Sequence, residues 1–142
     1  MGIEDDVYAL ANNLGRAVGT KGHEAARDYI LGRLESLEAK PYLSGGFEAK
    51  YRYGGQDFCN LLVKVPGRDP SLAPVLLGAH YDTCDSLPGA DDNTAAVPVL
   101  LEVAAQMADE TLERSAILAF FDAEEPPHFL SLAGQDAEPP GS

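Results

Sequence analysis

The sequence is poor in basic residues, in cysteine and in long apolar runs, and each shortage excludes a class of protein. Ten lysines and arginines stand against 23 aspartates and glutamates, which gives a formal charge of -13. Nucleic acids and anionic membranes require a basic face, so neither is expected as a partner. No apolar run approaches the ~18 residues of a membrane-spanning helix. The two cysteines, Cys59 and Cys84, form no Cys-x-x-Cys pair and are expected to be reduced thiols.

The N-terminus also lacks a secretory signal. Its first residues, MGIEDDV, contain neither a basic segment nor the apolar segment that would follow one. From the sequence alone we therefore expect a cytoplasmic protein. The oligomeric state is left open.

The chain does have the length and apolar content of one globular domain. It contains 142 residues, of which 45% are hydrophobic, enough to bury a sizeable core. Apolar periodicity predicts a helix from Ile3 to near Gly19 and a second helix over 23–39, followed by a hairpin whose strands cover 47–53 and 59–65. Apolar runs at 74–79 and 115–121 predict two buried, parallel strands, joined by a helix over 94–108.

Proline marks two features of this pattern. Pro98 falls inside the third predicted helix, where it is tolerable if the helix begins near Ala95. Residues 126–142 hold four of the ten prolines and little apolar periodicity, which indicates a loop or a disordered tail. We therefore expect one domain over 1–125 and a loose tail over 126–142.

Three acidic or histidine clusters fall where this scaffold changes direction. His80 and Asp82 follow the first parallel strand, Asp92 precedes the helix, and Glu124 and Glu125 follow the second strand. Loops after parallel strands meet at the carboxyl edge of a sheet, where α/β proteins collect ligands. The two-residue spacing in an extended segment lets Asp82 accept a hydrogen bond from the second ring nitrogen of His80 and fix its orientation. These side chains together predict a divalent metal site, zinc above all.

Taken singly, each cluster has a plainer explanation. Asp91 and Asp92 are suited to cap a helix, Glu124 and Glu125 to end a strand in solvent, and His80 to lie partly buried. Capping and solubility do not require a histidine and acidic pairs at successive ends of one sheet. The three clusters together therefore favour the metal site.

The same segments resemble a known family. GAHYDT at 78–83, PGADDN at 88–93 and FFDAEE at 120–125 are similar, in order and spacing, to metallopeptidase family 28, the dizinc aminopeptidases with glutamate carboxypeptidase and glutaminyl cyclase as relatives. The resemblance is specific over 58–128. It implies an α/β fold of three layers, helix, sheet and helix, with a mixed, mainly parallel sheet that is incomplete at the C-terminus.

The resemblance also implies roles for the five residues. His80 ligates one zinc and Asp82 orients that histidine, Asp92 bridges two zinc ions, and Glu125 ligates the other zinc. Glu124 is implied to be the general base that takes a proton from the attacking water and passes it to the leaving amine. The implied activity is hydrolysis of N-terminal peptide bonds, with a peptide as substrate.

The sequence departs from the family pattern downstream. The family has a further aspartate and a late histidine as ligands, and His128 and Asp136 lie too close to Glu125 to replace them. Two protein ligands for each ion are one fewer than the three of a catalytic zinc, which predicts weak metal binding and little hydrolysis. Missing strands would also leave an edge or face of the strand after Ser115 exposed. The alternatives are a glutaminyl-cyclase-like acyltransferase and a non-catalytic binding module.

Overall fold

A four-stranded sheet with three helices on one face makes up residues 2–128, the part of the chain that this computed structural model describes. A π-helical turn, Ala90–Thr94, leads into the third helix. The elements in chain order are α1 (Ile3–Leu10), α2 (Lys21–Ser36), β1 (Glu48–Tyr53), β2 (Gln56–Val65), β3 (Val75–His80), α3 (Ala96–Met107) and β4 (Ala116–Phe121).

The first helix is shorter than the periodicity predicts, because local hydrogen bonding ends it. The side chain of Asn12 accepts a hydrogen bond from the backbone N–H of Leu14 at 3.0 Å, which offers the chain an alternative to the helical ladder. Gly15 then adopts a left-handed conformation, with φ +64°. The second helix begins where Thr20 accepts a hydrogen bond from the N–H of His23 at 3.3 Å. The prediction that α1 continues to Gly19 was therefore wrong.

The strands lie in the order β1-β2-β4-β3. β3 and β4 are parallel, with Leu77 opposite Leu118, which confirms the predicted strand, helix, strand unit. β1 pairs with β2 and β2 with β4 in antiparallel fashion. The α/β class and the mixed sheet are confirmed. Parallel pairing does not predominate in the described part of the chain, since β2 leaves a hairpin turn and runs antiparallel to both of its neighbours.

The core lies between the sheet and the helices. Alternate residues of β2 and β4 face it, as the two-residue period of a strand requires. Each large apolar side chain buried here stabilises the fold by roughly 1.5–3 kcal/mol. The cluster includes Leu10 of α1, Ile30 and Leu34 of α2, Leu61 and Val63 of β2, Leu101 of α3, and Leu118 and Phe120 of β4.

β1 and β3 are the two edge strands of the sheet in the described residues, and β3 is the edge that carries a run of exposed aliphatic side chains. Val75, Leu76 and Leu77 are exposed, Leu76 to 55%. Strand β4 is mostly buried, because it pairs with a neighbour on both sides. The expectation of buried strands therefore holds for β4 and was wrong for β3. The predicted exposed edge belongs to β3 rather than to the strand after Ser115. Of the three expected layers, residues 2–128 supply the sheet and one layer of helices.

Pro98 is accommodated in the first turn of α3. The helix begins at Ala96, and the first N–H groups of a helix have no intrahelical partner, so a proline there costs no hydrogen bond. The sequence expectation of a start near Ala95 is confirmed. The tail expected over 126–142 falls, beyond His128, outside the described residues.

β3 and β4 are parallel, so their carboxyl ends lie at one edge of the sheet, together with the turn before α3.

Candidate metal centre

All five residues predicted from the sequence meet at this edge. His80 is the last residue of β3, and Glu124 and Glu125 follow the end of β4. The Nε2 atom of His80 lies 3.1 Å from Oδ1 of Asp92 and 3.6 Å from Oε2 of Glu124. One ligand atom each from His80, Glu124 and Glu125 fall within 4.8 Å of one another. The parallel register, which sets His80 opposite Phe121, brings the segments together.

Asp82 joins the histidine to the glutamate pair. Its Oδ1 atom lies 3.1 Å from Nδ1 of His80 and accepts a hydrogen bond from the N–H of Glu124 at 3.1 Å. Its Oδ2 atom accepts from the N–H of Glu125 at 2.8 Å. The side chain is only 1% exposed. Both carboxylate oxygens are therefore engaged, which suits Asp82 to orient other groups.

The same contacts shift two pKa values in opposite directions. Burial would raise the pKa of Asp82, but the hydrogen bonds from His80 and from the two backbone N–H groups outweigh it and hold that pKa below 3.8. Burial would lower the pKa of His80, but the hydrogen bond to Asp82 and the charges of Asp82, Glu124 and Asp92 raise it above 6.5. The geometry therefore favours an ion pair between these two residues in the metal-free protein.

The outer side of the cluster carries excess negative charge. Asp92 is 74% exposed and sits in the turn before α3. Burial, followed by the charges of Asp92 and Glu124, raises the pKa of Glu125. Carboxylates held this close repel one another unless a cation lies between them. One imidazole nitrogen with several carboxylate oxygens is a donor set that zinc accepts, so the residues present fit a divalent metal ion.

A cleft adjoins these carboxylates. Its volume is about 430 Å³. Asp91, Asp92 and Glu125 contribute acidic side chains to its lining, and Leu87 and Pro88 contribute apolar ones. Cys84 also borders the cleft, and burial raises the pKa of its thiol. The cleft is large enough for one or two residues of a peptide.

Two buried residues near the site escaped the sequence analysis. Asp122 accepts hydrogen bonds from the N–H of Cys59 and from the hydroxyl of Tyr51, and burial raises its pKa. Period-two alternation could have placed it, because it continues the inward-facing series of Leu118 and Phe120. Arg16 is also buried, and three of the four carbonyl partners of its guanidinium lie 65 to 73 positions away along the chain. No local pattern predicts such contacts.

His128 does not join the cluster. Its ring packs edge-on against Phe58, with centroids 5.1 Å apart. Asp136 lies outside the described residues. The sequence expectation that His128 is no replacement ligand agrees with this position.

The fold and the donor set define an α/β protein with a candidate divalent-metal centre at the carboxyl edge of its sheet. Residues 60–135 match the family model for peptidase family M28. The chain belongs to this family, as the motifs predicted, and is of the metallopeptidase class.

Known proteins resemble the chain over most of its length. A vacuolar membrane protease of Schizophyllum commune is 29% identical over 112 residues, which are 72% of this chain and 12% of the relative. A glutaminyl cyclase of Porphyromonas gingivalis has a TM-score of 0.69 at 25% identity, over 87% of this chain and 47% of the cyclase. A zinc-dependent exopeptidase of Parabacteroides distasonis has a TM-score of 0.64 at 25% identity, over 90% and 48%.

The chain thus spans about an eighth of that curated relative and just under half of the two solved structures. Among residues 2–128, no helix has the length and apolar character needed to cross a membrane. The cytoplasmic location expected from the sequence stays a prediction.

Proposed function

We propose that His80, Asp92 and Glu125 form part of the zinc centre of a metallo-aminopeptidase, which hydrolyses the N-terminal peptide bond of a peptide. The observation that carries the proposal is the position of the His80 Nε2 atom, 3.1 Å from Asp92 and 3.6 Å from Glu124. Asp82 holds the other ring nitrogen, which directs Nε2 toward the carboxylates.

Zinc held by these residues would polarise the carbonyl of the scissile bond and stabilise the charge that develops on its oxygen. A shared carboxylate offsets the repulsion between two cations, and the contact of Asp92 with His80, together with its place beside Glu125 in the lining of the cleft, supports this role for it. His80 and Asp92 would then hold one ion, and Asp92 and Glu125 would hold the other. Each ion would lack a third protein ligand among the residues predicted from the sequence.

Glu124 is proposed as the general base. Its side chain is 55% exposed, so it reaches solvent, while the hydrogen bond from its backbone N–H to Asp82 fixes its position. A carboxylate placed there can take a proton from the attacking water and deliver it to the leaving amine.

The acidic cleft supports a substrate with a free amino terminus. Asp91, Asp92 and Glu125 are part of its lining, and a protonated α-amino group is complementary to their charge. An N-terminally blocked peptide lacks that charge, so it should be a poorer substrate than the same peptide with a free amino terminus.

An assay with an aminoacyl-nitroanilide and its N-acetylated counterpart tests the proposal, in zinc-containing buffer, on the wild type and on Glu124→Gln. We expect slow release from the free-amine substrate, because ligands are missing, and loss of that release in the variant. Equal release from both proteins, or from both substrates, would show that these residues do not act as an aminopeptidase site.

Glutaminyl cyclisation is the second candidate. The likeness to the Porphyromonas gingivalis cyclase supports it, as does the motif FFDAEE at 120–125. A peptide with N-terminal glutamine separates the two activities. Cyclisation releases ammonia and leaves a pyroglutamyl peptide, whereas an aminopeptidase releases free glutamine. If neither product forms while a peptide still binds the cleft, a non-catalytic binding module is favoured.

A further inference from the structure

Arg16 is a buried cation that binds no carboxylate of residues 2–128. Arg16 is 1% exposed and lies in the segment between α1 and α2. Its guanidinium donates hydrogen bonds to four backbone carbonyl oxygens. Arginine is mostly found at protein surfaces or paired with an acid, so a full set of carbonyl partners indicates a specific positioning task.

Three of the four carbonyl acceptors belong to the loop that joins β3 to the turn of Asp92. Nε donates to the carbonyl of Tyr81 at 2.7 Å, Nη1 to that of Pro88 at 2.8 Å, and Nη2 to that of Gly89 at 3.2 Å. The fourth, Leu10, accepts at 2.7 Å and fixes the guanidinium to the end of α1. The planar fork of donors thus bridges the first and last residues of the loop over 81–89.

The backbone of Arg16 adds two further links. Its N–H donates to the hydroxyl oxygen of Thr83 at 2.6 Å, and its carbonyl accepts from the N–H of Thr83 at 3.3 Å. Thr83 and Tyr81 flank Asp82. The carbonyl of Gly89 also accepts from the N–H of Thr94 at 2.9 Å, which carries the connection into the turn before α3.

Glycine allows this close approach. A Cβ atom at Gly89, whose φ is +57°, would lie 2.6 Å from the carbonyl oxygen of Asp92 and 2.9 Å from Nη2 of Arg16. A Cβ atom at Gly15 would lie 2.6 Å from the Cα of Ser86. The chain therefore admits the arginine segment against the loop only because both positions lack a side chain.

We propose that Arg16 is a positioning residue of the metal centre, setting the separation between the segment of His80 and Asp82 and the turn of Asp92. This inference rests on the proposed zinc site. A merely structural arginine would hold α1 against the core, but only Leu10 among its carbonyl partners belongs to that helix. Burial lowers the pKa of the Arg16 guanidinium, and the negative charge of Asp82 partly offsets this effect.

The test compares Arg16→Lys with a matched control, Arg33→Lys. Lysine keeps the charge but loses the planar fork. Arg33 is a second partly buried arginine, whose Nε binds Asp6 of α1 at 2.8 Å, and its replacement weakens the fold away from the loop. Zinc affinity and amide hydrogen exchange at Thr83 and Thr94 are measured on the full chain, the exchange without metal.

We expect Arg16→Lys to weaken zinc binding by roughly 10–100-fold, the range for outer partners of metal ligands, and to speed exchange at both amides. Arg33→Lys should lower thermal stability and leave zinc affinity and loop exchange near wild type. If Arg16→Lys does not fold, Thr83→Val removes one of the backbone links and should act in the same direction with a smaller effect.

Two results separate the possible failures. If the wild type binds zinc and neither Arg16→Lys nor Thr83→Val changes its affinity, the positioning role is overturned. If the wild type binds no zinc, the proposed function fails, whatever the variants do to the exchange of the loop.

Discussion

The Nδ1 atom of His80 lies 3.1 Å from Oδ1 of Asp82, and this contact turns Nε2 of the ring toward Asp92. The replacement Asp82→Asn keeps the size of the side chain but removes its charge. It also puts an N–H₂ group against one of the three N–H donors that the carboxylate now accepts from, which are the ring of His80 and the backbones of Glu124 and Glu125. We expect zinc affinity to fall by roughly 10–100-fold, as measured by calorimetric titration. Unchanged affinity in a folded variant would contradict the orienting role of Asp82.

Glu124 and Glu125 are adjacent but have different proposed roles, and paired variants separate them. Glu125→Gln removes a proposed ligand and should weaken zinc binding by at least about tenfold, since an uncharged amide oxygen is a poorer zinc ligand. Glu124→Gln removes a proposed base and should leave zinc affinity within about threefold of wild type while lowering hydrolysis. If Glu124→Gln weakened zinc binding and Glu125→Gln did not, Glu124 would be the ligand and Glu125 the base.

His80 and His23 should titrate on opposite sides of pH 6.5. The raised pKa of His80 means that its stabilising contribution is full below pH 6.5 and is lost as the pH rises through that higher pKa. Burial lowers the pKa of His23, partly offset by Asp122, so its contribution is full above pH 6.5 and is lost as the pH falls through the lower pKa. Metal-free protein gives both values by NMR titration of the ring protons. A lower pKa for His80 than for His23 would contradict the ion pair with Asp82.

The exposed apolar edge strand β3 should promote self-association. Leu76 is 55% exposed on β3, and an apolar edge strand is a template for pairing with a second chain. Leu76→Lys should reduce concentration-dependent association while changing the free energy of unfolding by less than about 0.5 kcal/mol. Size-exclusion chromatography with light scattering measures the first quantity and denaturant titration the second. Wild-type protein that is monomeric at every concentration would remove the basis for this prediction.

Local pattern was enough for much of the fold. The hairpin, the parallel pair and the start of α3 follow from period-two alternation, apolar runs and the position of Pro98. Two errors have tertiary or side-chain causes. α1 ends early because Asn12 and Gly15 compete with the helix, and β3 is exposed because the sheet order puts it at the edge.

The candidate site was also accessible from the sequence, because residues that follow parallel strands converge at one edge. The order of the three clusters was enough to bring His80, Asp92 and Glu124 together. The role of Arg16 could not be predicted, since three of its four carbonyl partners belong to a loop that lies far away in sequence. Contacts of that kind have no period and no motif.

Calorimetric titration of zinc into the wild type, His80→Ala and His128→Ala tests whether His80 belongs to a metal centre. His128 is the matched control, because its ring packs on Phe58 away from the cluster. We expect zinc to bind the wild type more weakly than the roughly 10–16 kcal/mol of structural zinc sites. Binding should be lost in His80→Ala and retained in His128→Ala. Zinc binding that survives in His80→Ala at wild-type affinity would contradict a metal centre at this edge of the sheet.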